Sequence, residues 1–212
     1  MFDFTIKINF ITLKKLHISS SIPIKIVADN PFMETISERG EKVKIIPAST
    51  IKGVLRSSLI KISRALGFNV TPSVNPEKIR DKNDIVTAIF GKPGGDFSKI
   101  SIENAYYKGD TQVYTHVKID EETGIAEEGG LFSREYIPIG EKFSTKIICK
   151  NLSVEETRAL LAALVNLRFE GIGRNSFVNV TIEDVSPKEI LERLEKDEII
   201  HILLDTLRRQ NI

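Results

Sequence analysis

Two places along this chain carry side chains whose kinds and separations could support chemistry. The first is Lys52 and Arg56, four residues apart and therefore on one face of any helix that contains both. The segment Ile46-Pro-Ala-Ser-Thr-Ile-Lys-Gly-Val-Leu-Arg56 reads as a helix start. Ser49 is expected to cap a helix running to about Leu66. Its apolar stripe (Ile51, Val54, Leu55, Leu59, Ile62, Leu66) lies opposite the two cations. Free N–H groups of a first turn, an ammonium and a guanidinium together make a phosphate site. Gly53 would let a ligand come close. Helix geometry alone is met more simply by two solvated cations. The second place is Asp29 in Asp29-Asn30-Pro31, a turn signal. A loop carboxylate can hold a divalent cation or take a proton. The plainer reading is an aspartate bonded to its own turn.

Other chemistries are excluded by inventory. Three scattered histidines (His17, His116, His201) and the single Cys149 cannot form a usual zinc site, and one cysteine forms no intrachain disulfide, which fits a reducing cytoplasm. No apolar run approaches the length of a membrane span, so no membrane partner is expected. The formal net charge of +1 hides an asymmetry: residues 1–80 hold 13 Lys and Arg against 6 Asp and Glu, and residues 81–212 hold 17 against 23. A basic N-terminal part could face a polyanion.

The elements that must position these residues follow from periodicity. Phe2, Phe4, Ile6, Ile8 and Phe10 alternate with polar residues as in a half-buried strand. Residues 17–46 read as irregular and 69–98 as a long loop or small insertion. Strands are expected near 99–107, 112–118 and 142–150, with an acidic protruding hairpin or loop at Asp120–Gly130 between the last two. Ser153-Val-Glu-Glu156 is a capping box opening a second helix to about Phe169, ended by Gly171 and Gly173. A strand at Phe177–Val185 precedes a last amphipathic helix from Ser186-Pro187 to about Arg209, expected to pack on the chain's own sheet. The fold class is therefore α+β: a ferredoxin-like βαββαβ core over residues 1–185, insertions at 17–46, 69–98 and 119–133, and a C-terminal helix at 186–212.

The motifs, taken in order, resemble the RAMP superfamily of CRISPR proteins. The 46–56 segment is similar to that family's Ile-Pro-Gly-Ser-Ser-Leu-Lys-Gly-x-Leu-Arg. Leu16-His17-Ile18 resembles its Leu-His-Ile-Gly, and Asp29-Asn30-Pro31 its Asp-Asn/Ser-Pro. Ile89-Phe90-Gly91 and Glu103-Asn104-Ala105 resemble its Leu-Phe-Gly and the small strand motif that follows. Ile119-Asp120-x-x-Thr123-Gly124-x-Ala126 and Tyr136-Ile137-Pro138-Ile139-Gly140-x-x-Phe143 are similar to motifs of the type III (Csm or Cmr) backbone subunits. Ala48, Ser19-Ser20-Ser21 and Glu121 depart from the pattern.

The resemblance implies a subunit that stacks with copies of itself or related backbone subunits along a CRISPR guide RNA, beside other effector-complex subunits, and cuts target RNA at regular intervals. It implies Asp29 as the catalytic residue, with a divalent metal ion (Mg or Mn) that Asp29 could hold. It also implies guide contacts by His17, Lys52, Arg56, Gly171, Gly173, Arg174 and Asn175. The hairpin would displace a base, and Ile125 is its apolar wedge candidate. The competing readings are a scaffold subunit of the same complex without chemistry, a histidine-based repeat-processing ribonuclease, and a small-anion binder at Lys52 and Arg56.

Overall fold

The computed structural model of the chain describes residues 1–19, 28–37, 40–71, 84–92, 94–95, 97–173 and 176–209. The expected core is present. Strand β1 (Phe2–Thr12) sits between β8 (Lys142–Leu152) and β9 (Val178–Ser186), with β4 (Ile100–Ile102) outside β8, in the antiparallel order β4-β8-β1-β9. The alternation in β1 does what its period requires. Ile6, Ile8 and Phe10 are fully buried, and Phe10 stacks on its cross-strand partner Phe143 at 5.1 Å between ring centroids.

Helices α1 (Ala48–Ser63) and α3 (Val154–Glu170) pack together, with Ser58 Oγ donating to the Ala163 carbonyl. Both contribute to the same core as the sheet. The capping box of α3 forms as expected: Ser153 Oγ accepts from Glu156 N–H, and the Glu156 carboxylate accepts from Ser153 N–H. Helix α1 starts differently. Pro47 occupies the N-cap with no side-chain cap of its own, and Ser49 lies inside the helix. The Ala48 N–H instead donates to Asn104 Oδ1 at 2.8 Å, so a residue 56 positions away caps the helix. The helix ends at Ser63, leaving Leu66 exposed.

The stretches expected to be irregular carry structure. Strands β2 (Glu34–Ile36) and β3 (Lys42–Ile46) form a small sheet with β5 (Ala105–Tyr107). Helix α2 (Ile85–Phe90) arises within 69–98 because the Asp84 carboxylate accepts from the Val86 and Thr87 N–H groups. The protruding hairpin is longer than its acidic tip: β6 (Gln112–Ile119) pairs with β7 (Ala126–Tyr136). The single C-terminal helix is two, α4 (Lys188–Leu194) and α5 (Glu198–Arg208). Asp197 breaks it: its carboxylate caps α5 at Ile200 N–H and pairs with Arg158. The α5 stripe packs on α3 and β9, burying Ile200, Leu204 and Leu207. Among the described residues no helix is long and apolar enough to cross a membrane.

Candidate RNA interface and carboxylate site

The structure builds two separate places, and no residue that forms the first forms the second. The first lies along the cationic face of α1. Lys52, Arg56 and Gly53 line a cavity of about 720 Å³, closed on its other side by Gly91, Lys92, Gly94, Gly95, Phe97 and Ser98 beyond α2. Lys52 Nζ donates to Ser98 Oγ at 2.9 Å, and Arg56 Nη1 to the Gly91 carbonyl at 3.3 Å. Among the described residues Arg56 Nε is buried and has no partner. Burial, and then the neighbouring Arg56 charge, hold the Lys52 ammonium below the usual lysine range. Two half-buried cations that repel each other and retain unmet donor capacity favour an anion between or across them. The helix start contributes less than its sequence promised: the Ala48 N–H goes to Asn104, and the Thr50 and Ile51 N–H groups go to the Pro47 carbonyl. Gly53 is open, with nothing within 4 Å of where a Cβ would stand.

The second place is the base of the hairpin. Asn30 forms a parallel bridge to Arg134, adding a short strand to the free edge of β7. The Asn30 N–H donates to the Ser133 carbonyl, and the Glu135 N–H to the Asn30 carbonyl. This pairing sets Asp29 against Ser133 in a reciprocal clamp. The Asp29 N–H donates to Ser133 Oγ at 2.9 Å, while Ser133 N–H and Oγ–H donate to Asp29 Oδ2 at 2.8 and 2.9 Å. The Asp29 side chain nevertheless stays at the surface.

Below it, buried Glu135 ties three segments together. It accepts from Phe32 N–H at 2.7 Å, from Thr111 Oγ1 at 2.5 Å and from Lys44 Nζ at 2.5 Å. Burial pushes the Glu135 carboxyl up, but these donors, Lys44 foremost, hold it below the usual range. The Lys44 ammonium is held above its own, since its two carboxylate partners Glu135 and Glu34 outweigh its burial.

Several residues expected to touch RNA have internal work instead. His17 is 7% exposed, with Nδ1–H donating to the Glu135 carbonyl and Nε2 accepting from Ser19 Oγ. Burial lowers its pKa first of all, which keeps the ring neutral in that tautomer. Gly171 is required by the fold. At φ +74°, a Cβ there would collide with the Ser176 carbonyl, and its N–H already donates to Leu167. Gly173, at φ +81°, faces the His17 carbonyl, 2.7 Å from where a Cβ would be. Arg174 and Asn175 lie outside the described residues.

Ile125 stands exposed at the hairpin tip, 67% accessible. The tip's shape comes from Asp120, whose Oδ1 accepts from Glu122 N–H, Thr123 N–H and Thr123 Oγ1, with Gly124 at φ +69°. Those bonds, Thr123's first, hold the Asp120 carboxyl below its usual range. The Ile119–Ala126 motif is therefore turn chemistry in service of the tip.

Sequence reasoning missed one feature of the hairpin. Tyr114, His116, Phe132, Arg134 and Tyr136 alternate onto one face, with His116 stacked on Phe132 at 5.4 Å and Arg134 over Phe132 at 4.8 Å. Lys15 lies 3.2 Å over the Tyr114 ring. The opposite face carries Val113, Val117 and Leu131, all exposed. The period-2 alternation of two aromatic strands was the signal available.

Residues 10–176 match the family model described as the RAMP superfamily. The chain belongs to the RAMP superfamily. Over 154 residues it is 27% identical to the CRISPR system Cmr endoribonuclease Cmr4 of Pyrococcus furiosus, covering 69% of this chain and 46% of that protein. The chain thus spans about half the length of that relative. A chain in the apo-state cryo-EM structure of type III-B Cmr-beta aligns with a TM-score of 0.59 at 14% identity, over 85% of this chain and 98% of that one. That second likeness is one of fold, and it agrees with the mixed α+β architecture described above.

Proposed function

We propose that this RAMP protein is a backbone subunit of a type III RNA-guided effector. In this reading it seats guide RNA along Lys52 and Arg56 and cuts target RNA with Asp29. The observation that carries the reading is the hairpin base. There a surface carboxylate is fixed in orientation by Ser133, beside a two-stranded projection able to part stacked bases.

The chemistry follows from RNA itself. A displaced base leaves the backbone kinked, so a 2′-hydroxyl can align with its neighbouring phosphorus. Its oxygen forms a bond to phosphorus, its proton leaves toward the Asp29 carboxylate, and the bond to the 5′ oxygen breaks as that oxygen takes a proton from water. The products are a 2′,3′-cyclic phosphate and a 5′-hydroxyl. Among the described residues no three His, Cys, Asp or Glu side chains gather as a metal site. Asp29 is the residue that would hold a Mg or Mn ion, through its one carboxylate. Bound there, it would supply charge neutralisation at the phosphate.

A scaffold subunit without chemistry is the second reading. It is favoured by the same clamp, because an aspartate whose Oδ2 already accepts two hydrogen bonds can be purely structural. Purification from the native host, with sequencing of bound RNA and mass spectrometry of bound proteins, tests the common part of both. The expected result is short RNA of uniform length together with related subunits. Recovery of the chain free of RNA and of partners contradicts both readings.

A further inference from the structure

Phe97 is the anomaly of the α1 cavity. It is 95% exposed, higher than any other large apolar residue among those described, and it stands on the rim of a pocket walled by cations. An isolated exposed phenylalanine forgoes the burial its ring could gain, so a position that keeps one at a cavity mouth invites a flat apolar ligand. Its chain neighbour Ser98 accepts the hydrogen bond from Lys52, which fixes the ring's backbone against the cationic wall. Gly94 lines the same rim with nothing within 4 Å of where a Cβ would stand, leaving room for a planar group, while the Lys92 side chain lies against Gly95. Of the N–H donors of Lys52 and Arg56, Ser98 takes one and the Gly91 carbonyl one. A ring and a phosphate held side by side are the two halves of a nucleotide.

We propose that Phe97 is a stacking platform for one unpaired nucleobase of the RNA whose phosphate lies on Lys52 and Arg56, making this cavity a nucleotide subsite rather than a bare phosphate site. The proposal rests on the RNA-binding reading above and adds base recognition to it. Stacking accepts any base, because every base has a π face, so the subsite is expected to be indifferent to sequence.

The test compares a single-stranded oligoribonucleotide with an abasic strand of equal length and charge, by fluorescence anisotropy at low salt. The intact chain is expected to favour the base-bearing strand by about tenfold. Phe97→Ala is expected to reduce that ratio to near one while leaving the salt dependence unchanged. Lys52→Ala weakens both strands alike and preserves the ratio. Phe97→Trp introduces the chain's only tryptophan. Its emission is expected to be quenched by the base-bearing strand and not by the abasic one, which reports at the site itself. Because the ring is solvent-exposed, none of the Phe97 variants is expected to unfold the chain. An unchanged ratio in Phe97→Ala overturns the stacking proposal alone. Binding of neither strand by the intact chain overturns it together with the RNA reading.

Discussion

The α1 cavity and the hairpin base are both polar, yet they are finished to different degrees. At the hairpin base the donors and acceptors answer one another: Ser133 and Asp29 exchange three hydrogen bonds, and Glu135 meets Phe32, Thr111 and Lys44. In the cavity, Lys52 donates to a hydroxyl and Arg56 to a carbonyl, and among the described residues one buried guanidinium nitrogen has no partner. A satisfied network fixes geometry, whereas an unsatisfied cationic one invites a ligand. Under the function proposed above, the difference gives positioning to one region and binding to the other.

The sharpest way to break that contrast is to remove the keystone of the finished network. Glu135→Ala leaves the Phe32 N–H, Thr111 and part of the Lys44 charge unanswered in a buried place, at a cost of about 3 kcal/mol. A fall in thermal midpoint with loss of hairpin protection in hydrogen exchange would register it. The same group predicts a pH dependence. Its folded pKa is lowered, so its contribution is present above the unfolded carboxyl range and lost as pH falls through the folded value. Acid titration of hairpin protection checks this sign.

The cavity should respond in the opposite sense, losing ligand rather than structure. Lys52→Ala with Arg56→Ala is expected to weaken RNA binding roughly 30-fold at low salt, as two charge-assisted contacts vanish. The slope of log affinity against log salt should shrink by about 1.4, while the melting temperature stays near that of the parent. A smaller effect sharpens the role of the clamp. Ser133→Ala removes both hydroxyl bonds, the one Oγ–H donates to Asp29 Oδ2 and the one Oγ accepts from the Asp29 N–H, and keeps only the Ser133 N–H bond, so RNA cleavage in the assembled complex should fall about fivefold with guide content unchanged. Ser133→Thr should restore most of it, an outcome that loss of folding would not give.

The core was legible because its signals are local. The β1 alternation, the α1 stripe and the α3 capping box each declare themselves within a few residues. What escaped depends on distant partners or on weak exposure patterns. Asn104 caps α1 from the link between β4 and β5, so the Ala48 N–H was already taken, as were the Thr50 and Ile51 N–H groups by Pro47. Strand β7 contains Glu127-Glu128-Gly129-Gly130 and is open to solvent on both faces near its tip, which erases the hydrophobic alternation that marks a strand. The family motif at Leu16-His17-Ile18 pointed to RNA, but His17 is held inside by the Glu135 carbonyl and Ser19. Gly171 and Gly173 likewise meet protein backbone. Asp29 and the pair Lys52 and Arg56 could be read as candidates, but the residues that hold Asp29, Ser133 and Glu135, carry no signature of their own.

In the function proposed above, the carboxylate clamped by Ser133 acts on RNA. Asp29→Asn keeps the side chain's shape and an acceptor oxygen while removing its charge. In the reconstituted effector with guide and labelled target, the account predicts loss of cleavage by at least about 100-fold, with guide binding and assembly intact. Cleavage that continues at the same positions and rate would show that Asp29 is a structural turn residue and that the chain is a scaffold.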